Sequence, residues 1–256
     1  MPFQKVLPEK ISAAVVRQVE LLILRGILRP GERLPSERDL AERLGVSRPS
    51  LRDALADLQD QGLLVARAGS GIFVADVLGS AFSPALVRLM GNHDTAMSDY
   101  LSFRRDMEGL AAERAARAGS DSDLKVIATV LARMEAMHKR GTAEEEAALD
   151  AQFHMAIIEA SHNVVMLHMM RSMYDLLQRG VFYNRRAIFD QVPARDALLD
   201  QHRTINGALQ ARDPARARAA VEDHLDFVER ALTERRRAEA NEEIARQRLD
   251  HETRDS

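Results

Sequence analysis

Four side chains in the second half of the sequence have the types and spacing of a metal-binding set. Asp150 and His154 lie four residues apart, so a helix would carry them on one face. His202 and His224 each lie among apolar residues at helical spacing, which points both side chains inward. Carboxylate and neutral imidazole suit a divalent transition metal. A single inward histidine is more often a hydrogen-bonded core residue, and the sequence does not show three helices converging, so both interpretations stay open here.

A second group of polar residues has the chemistry to contact DNA. Arg48, Ser50 and Arg52 lie near the start of a predicted helix, away from its apolar face, and Arg38 lies on the helix before it. Arginine can give guanine two parallel hydrogen bonds, and the start of a recognition helix is where base edges are met. Gly69 lies at a predicted hairpin tip, where glycine lets the backbone approach a groove closely. Helices in this pattern often only pack, but the hairpin and the arginines together favour DNA binding.

Helix-start and helix-stop residues define the elements that position these arginines. Ser36 is a good N-cap, and Gly45 ends the short helix that follows it. Ser47 caps the next helix, whose first turn contains Pro49, where the missing amide hydrogen costs little. These signals predict a helix-turn-helix.

A predicted β-hairpin completes this part of the chain. Strands at 63–65 and 72–74 flank a glycine-rich tip at 67–71, and a helix from Glu9 to Arg25 opens the domain. The pattern is that of a winged helix-turn-helix.

From about residue 97 the sequence predicts helix after helix, so the fold class is mainly α, with a winged helix-turn-helix followed by a helical bundle. The predicted helices are 97–118, 121–139, 143–161, 164–190, 195–211 and 214–245. The predicted organisation is a DNA-binding domain at 1–75, a linker at 76–96, a helical domain at 97–235 and a charged tail at 236–256.

Composition and charge exclude several classes of protein. The 256 residues contain no cysteine, which excludes disulfides and thiolate metal sites. Neither a signal peptide nor a membrane span is predicted, so we expect a cytoplasmic protein. The net charge is -3, yet residues 1–75 hold 11 basic against 9 acidic side chains. The positive excess therefore belongs to the predicted DNA-binding domain, where local arginines would make affinity depend on salt.

The segment LRPGERLPSERDLAERLGVSRPSLRDAL resembles the DNA-binding domain of the GntR family of bacterial transcription regulators. The resemblance implies that Arg38, Arg48, Ser50, Arg52 and Gly69 occupy the DNA-contact positions. Some relatives carry threonine at the position of Pro49, so one side-chain hydrogen bond to DNA is absent here.

The helical half resembles the effector domain of the FadR subfamily, the FCD domain, and is similar to its pyruvate- and lactate-responsive members. The segments that carry this resemblance are FRRDMEGLAAERAA, DAQFHMAIIEASHN, QHRTINGALQARD and the dipeptide at 224–225. It implies that Asp150, His154, His202 and His224 bind zinc, nickel or manganese, and that Arg104 grips the carboxylate of a small organic acid.

The sequence therefore predicts a homodimeric repressor that binds a double-stranded operator and responds to a pyruvate-, lactate- or glycolate-like acid. A metal-free regulator sensing an acyl group is an alternative. A metal-dependent hydrolase is a remote one, because no general base is evident beyond the ligands. A passive architectural DNA binder, which needs no pocket, is a further alternative.

Overall fold

The structure is a computed structural model that describes residues 10–76, 83–91, 93–138, 140–178 and 192–254. The chain divides into two compact units, Met1–Ala81 and Phe82–Ser256. The first contains three helices and a two-stranded hairpin, and the described part of the second is helical, which confirms the predicted fold class. Within the described residues, no helix is long and apolar enough to cross a membrane.

The winged-helix unit has the capping chemistry that its sequence predicts. Its helices are α1 (Ile11–Leu24), α2 (Glu37–Leu44) and α3 (Arg48–Asp60). Ser36 Oγ accepts the amide of Asp39, and Ser47 Oγ accepts the amide of Ser50, each at 3.3 Å. Between α2 and α3, Gly45 adopts φ +65, a left-handed conformation that glycine reaches without a steric penalty.

Two antiparallel strands form the wing. Strand β1 (Leu64–Arg67) pairs with β2 (Gly71–Val74), with Leu64 opposite Val74. Both strands differ slightly from the predicted 63–65 and 72–74, because pairing continues to the tip. The unit has its own core, whose largest buried members include Val15, Val19, Leu51, Leu55 and Leu58.

The helical unit contains seven described helices. They are α4 (Pro84–Gly91), α5 (Asp94–Ala118), α6 (Asp121–Met137), α7 (Ala143–Ala160), α8 (Val164–Gln178), α9 (Val192–Gln210) and α10 (Pro214–Arg254). Their bounds follow the predicted ones within a few residues at most ends. The predicted extension of α8 to residue 190 lies outside the described residues.

The segment predicted as a linker contains a helix. Ser83 Oγ accepts the amide of Leu86 at 3.2 Å, and Pro84 occupies the first helical position, so these two residues begin a helix within the predicted linker. Val87 and Met90 pack against the core of the helical unit. The limits of the domains themselves stay a prediction.

Helix α10 continues through most of the predicted charged tail, to Arg254. Pairs four residues apart, such as Arg235 with Glu239 and Glu242 with Arg246, line its exposed surface. Such pairs stabilise a solvated helix by about 0.2–0.5 kcal/mol each.

The helical core brings α5, α7, α9 and α10 together. Alanines on α5, including Ala111, Ala112 and Ala115, are fully buried, and α5 packs along α10 and against α7. Small side chains let helix axes approach closely, so the polar residues on these four helices meet inside the bundle.

Candidate metal centre and nucleic-acid interface

The structure brings together the four residues predicted as metal ligands. Asp150 and His154 project from α7, His202 from α9 and His224 from α10, and none of the four is more than 3% exposed. One ligand atom from each lies within 4.8 Å of the others. Asp150 Oδ1 is 3.0 Å from His202 Nε2 and 3.7 Å from His154 Nε2, and the two Nε2 atoms are 3.4 Å apart.

The other nitrogen of each imidazole faces an acceptor. His202 Nδ1 donates to the carbonyl oxygen of Leu198 at 2.6 Å, and His224 Nδ1 donates to Gln201 Oε1 at 2.9 Å. His154 Nδ1 lies 2.7 Å from the carboxylate oxygen Oε2 of Glu108. These partners accept hydrogen bonds, and a proton on each Nδ1 leaves the lone pair of the ring on Nε2.

This arrangement fits a divalent cation. Three Nε2 lone pairs and one carboxylate oxygen would converge in a buried space without a proton between them, which is electrostatically unfavourable unless a positive charge lies there. Three nitrogens and one oxygen are borderline donors that suit zinc, nickel or manganese. Carboxylate and carbonyl partners on Nδ1 are also the usual second shell of metal-bound histidines.

Glu108 on α5 is a site residue that the sequence reasoning missed. Its Oε2 faces His154, while its Oε1 accepts from Arg104 Nε at 2.6 Å and from the Tyr174 hydroxyl at 3.0 Å. The only sequence signal is its position four residues after Arg104, on the same helix face.

Arg104 is fully enclosed in this network. It is 1% exposed, its Nη2 donates to the Tyr174 hydroxyl at 2.9 Å, and its guanidinium lies 5.0 Å from the Tyr174 ring centre. The arginine predicted to grip a ligand therefore already holds a carboxylate of this chain.

Burial and charge set the ionisation of the network. Burial by itself would raise the pKa of Glu108, but the positive charge of Arg104 and the hydrogen bonds from Arg104 and His154 outweigh it and hold the pKa well below its usual range. Burial raises the pKa of Tyr174 well above its ordinary value, so its hydroxyl stays protonated and can donate. The network thus contains an ionised carboxylate surrounded by donors.

A small pocket borders the candidate metal centre, because His202 forms part of its wall. Across the pocket, Arg195 on α9 donates through Nε to Glu146 Oε2 on α7 at 3.0 Å. The remaining lining residues are Met134, His138, Leu198 and Leu199.

In the winged-helix unit, the predicted DNA-contact side chains lie on the surface. The side chains of Arg38, Arg48 and Arg52 are 81%, 58% and 60% exposed. Ser50 Oγ shares a hydrogen bond with Ser47 Oγ at 2.9 Å. Gly69 is exposed at the wing tip with φ +69, a conformation that favours glycine.

Glu37 was also missed, since no sequence spacing connects it to α3. Arg52 Nε donates to Glu37 Oε2 at 2.8 Å, and Arg48 Nη2 lies 3.9 Å from the same oxygen. Both guanidinium groups are therefore drawn toward the start of α2 while staying accessible to solvent.

Comparison with known proteins gives two family matches. The model of the gntR family of bacterial regulatory proteins matches residues 11–74, and that of the FCD domain matches residues 99–227. Each match covers the main part of one structural unit.

Several relatives are similar over most of their length. A protein of Escherichia coli K12 described as an L-lactate dehydrogenase operon regulatory protein is 35% identical, over 87% of this chain and 86% of its own. The Glc operon transcriptional activator of the same strain is 33% identical over 87% and 89%. The regulator LutR of Bacillus subtilis 168 is 30% identical over 83% and 96%. Among solved structures, Streptococcus agalactiae GntR shares the fold with a TM-score of 0.52 at 23% identity, covering 86% of this chain and 99% of that one.

Proposed function

The chain belongs to the GntR family of bacterial regulatory proteins and carries an FCD domain, and from this premise we propose that it is a homodimeric repressor controlled by a small 2-hydroxy or 2-oxo acid. Like its family and its relatives, it is a transcription regulator and not an enzyme. The dimer, the metal, the acid and the direction of regulation are the parts proposed.

The convergence of four buried ligand groups carries the proposal. Asp150, His154, His202 and His224 would hold zinc, nickel or manganese, with their Nδ1 atoms fixed by neighbouring acceptors. A bound divalent ion supplies a Lewis-acid position for an oxygen of the ligand. An acyl group would gain little from so many polar side chains in one buried space, which favours a polar ligand over the metal-free acyl alternative.

Arg104 is the proposed partner of the acid's carboxylate. Its planar guanidinium already binds one carboxylate, and a second carboxylate presents the same paired oxygens. One relative is named for an L-lactate dehydrogenase operon, so L-lactate is the first acid to test, together with pyruvate and glycolate.

The winged-helix unit supplies the proposed operator contacts. Arg48 and Arg52 at the start of α3 would meet base edges, while Arg38, Ser50 and Gly69 would fix the unit on the duplex. Two copies in a homodimer would bind the two half-sites of a near-palindromic operator. The acid regulates only if it binds one arrangement of the two copies better than the other.

Titration of the acid into an operator-binding assay tests the proposal directly. Saturating L-lactate, pyruvate or glycolate should change operator affinity about 5–150-fold, the span of a coupling of 1–3 kcal/mol. Prior treatment with a chelator should remove that response while leaving basal DNA binding in place. Unchanged operator affinity with all three acids would refute control by this class of acid.

A further inference from the structure

We propose that Glu108 is the positioning residue that couples the metal centre to the acid-binding arginine, an inference that rests on the proposed function. Its Oε1 lies 2.6 Å from Arg104 Nε, and its Oε2 lies 2.7 Å from His154 Nδ1. All three residues are at most 2% exposed, so water does not screen these contacts. One carboxylate therefore bridges the two halves of the candidate ligand site.

The bridge requires a carboxylate, since each partner presents a donor. Guanidinium is always a donor, and Nδ1 of His154 must carry its proton if Nε2 is to bind a metal. Glutamine offers one oxygen and one amide group, so it would leave an N–H facing an N–H at one of its two contacts. The two donors therefore require a side chain with two accepting oxygens, which Glu108 provides.

The same geometry makes Glu108 an internal competitor for the acid. Glu108 Oε1 already occupies the Nε donor of Arg104, so a metabolite's carboxylate that binds this edge of the guanidinium has to displace it. Once released from Arg104, Glu108 keeps its contact with His154, where a carboxylate on Nδ1 makes Nε2 a more basic metal ligand. Acid binding then tightens metal binding, and metal binding tightens acid binding by the same factor.

Two affinities of the full-length chain test this role, measured by calorimetry for the wild type and Glu108→Gln. The Zn²⁺ affinity should fall about 10–100-fold in the variant, as is usual when a second-shell partner of a metal ligand is lost. The L-lactate affinity at saturating Zn²⁺ should rise, because the internal competitor has lost its charge. A merely structural role would lower both affinities.

Matched variants separate coupling from general damage. Glu113→Gln, on the same helix, removes a carboxylate that pairs with Arg117 and Arg218 away from the candidate centre, and should change neither affinity. Tyr174→Phe removes a partner of Glu108 Oε1 but leaves the His154 contact, so it should lower the Zn²⁺ affinity less than Glu108→Gln does.

If Glu108→Gln fails to fold, Glu108→Asp replaces it, because aspartate keeps the charge but is too short to reach both partners. Unchanged Zn²⁺ affinity, or a joint fall of both affinities in a folded variant, would overturn the coupling role. A wild-type chain that binds Zn²⁺ but none of the three acids would instead refute the proposed acid class, and the Zn²⁺ measurements would still decide whether Glu108 positions His154.

Discussion

At the scale of residues, the oxygen atoms beside the outer nitrogens decide what the histidines offer. Leu198, Gln201 and Glu108 each occupy an Nδ1 atom, so the candidate centre is prepared by partners that lie outside the ligand set. Glu37 has a comparable position beside Arg48 and Arg52. At both sites, an acidic or carbonyl oxygen next to the functional group fixes its direction.

Replacing His202 by alanine should remove most bound metal, because His202 supplies one ligand and contacts Asp150 Oδ1 at 3.0 Å. Metal per chain, measured by mass spectrometry after dialysis, should fall toward zero. The control is His162→Asn, since His162 is 57% exposed on the surface and asparagine tolerates its φ of 52. Equal metal content in wild type and His202→Ala would contradict the ligand set.

Replacing Arg48 by alanine should weaken binding to the specific operator by about 1–3 kcal/mol, the value of a good bidentate base contact. Fluorescence anisotropy on operator and random duplexes measures both affinities. The loss on random DNA should be much smaller, and an equal loss on the two duplexes would mean that Arg48 contacts phosphate only. Arg17→Ala, on α1 of the same unit, is a charge-matched control outside the proposed contact set.

At the scale of elements, the capping residues decide where helices begin and so where their side chains point. Ser47 places Arg48 at the first position of α3. Helices α6 and α7 begin after Ser120 and Thr142 with capping boxes, in which the N-cap side chain and that of the third helical residue each accept the other's backbone amide. Inserting one residue into α7 before Asp150 would rotate Asp150 and His154 together by about 100° relative to the start of the helix.

The capping box of α6 should make stability depend on pH. Burial opposes ionisation of Asp123, but hydrogen bonds from Ser120 and the contact with His162 outweigh it, so its pKa is lowered. A depressed folded-state pKa means that Asp123 contributes fully above its unfolded pKa and loses its contribution as the pH falls through the folded value. In urea unfolding, Asp123→Ala should therefore be less stable than wild type at neutral pH and converge with it as the pH falls through the lowered pKa of Asp123. A difference that is constant with pH would contradict this role.

At the scale of the whole molecule, the proposed DNA contacts and the candidate metal centre belong to different units. The winged-helix unit and the helical unit each have a hydrophobic core of their own. Residues 1–75 carry the positive excess, and the whole chain has a net charge of -3. A field this weak gives little long-range attraction to DNA, so we expect tight binding to come from two winged-helix units on one operator.

Operator binding should therefore require a dimer and both half-sites. Sedimentation equilibrium should show two chains per particle at concentrations where the operator is bound. A duplex with only one half-site should bind at least about ten-fold more weakly, since the second contact adds effective concentration rather than new chemistry. A monomer that binds one half-site as tightly as the full operator would refute the two-headed arrangement.

Local chemistry determined much of this protein from its sequence. The caps at Ser36 and Ser47, the left-handed Gly45 and the leucine periodicity of α3 depend on residues close together in the chain, so they can be recognised without a structure. The same holds for the inward direction of His202 and His224, which helical periodicity fixes. The resemblance to known regulators then supplied the family.

Contacts between distant residues were decided only by the tertiary structure. Glu108 meets His154 from another helix, and Glu37 meets Arg52 across a turn, so no spacing along the chain marks either pair. The approach of α7, α9 and α10 that joins four ligand groups is likewise a result of packing. Periodicity gives the direction of a side chain from its own helix, but the partner it meets depends on how the helices pack.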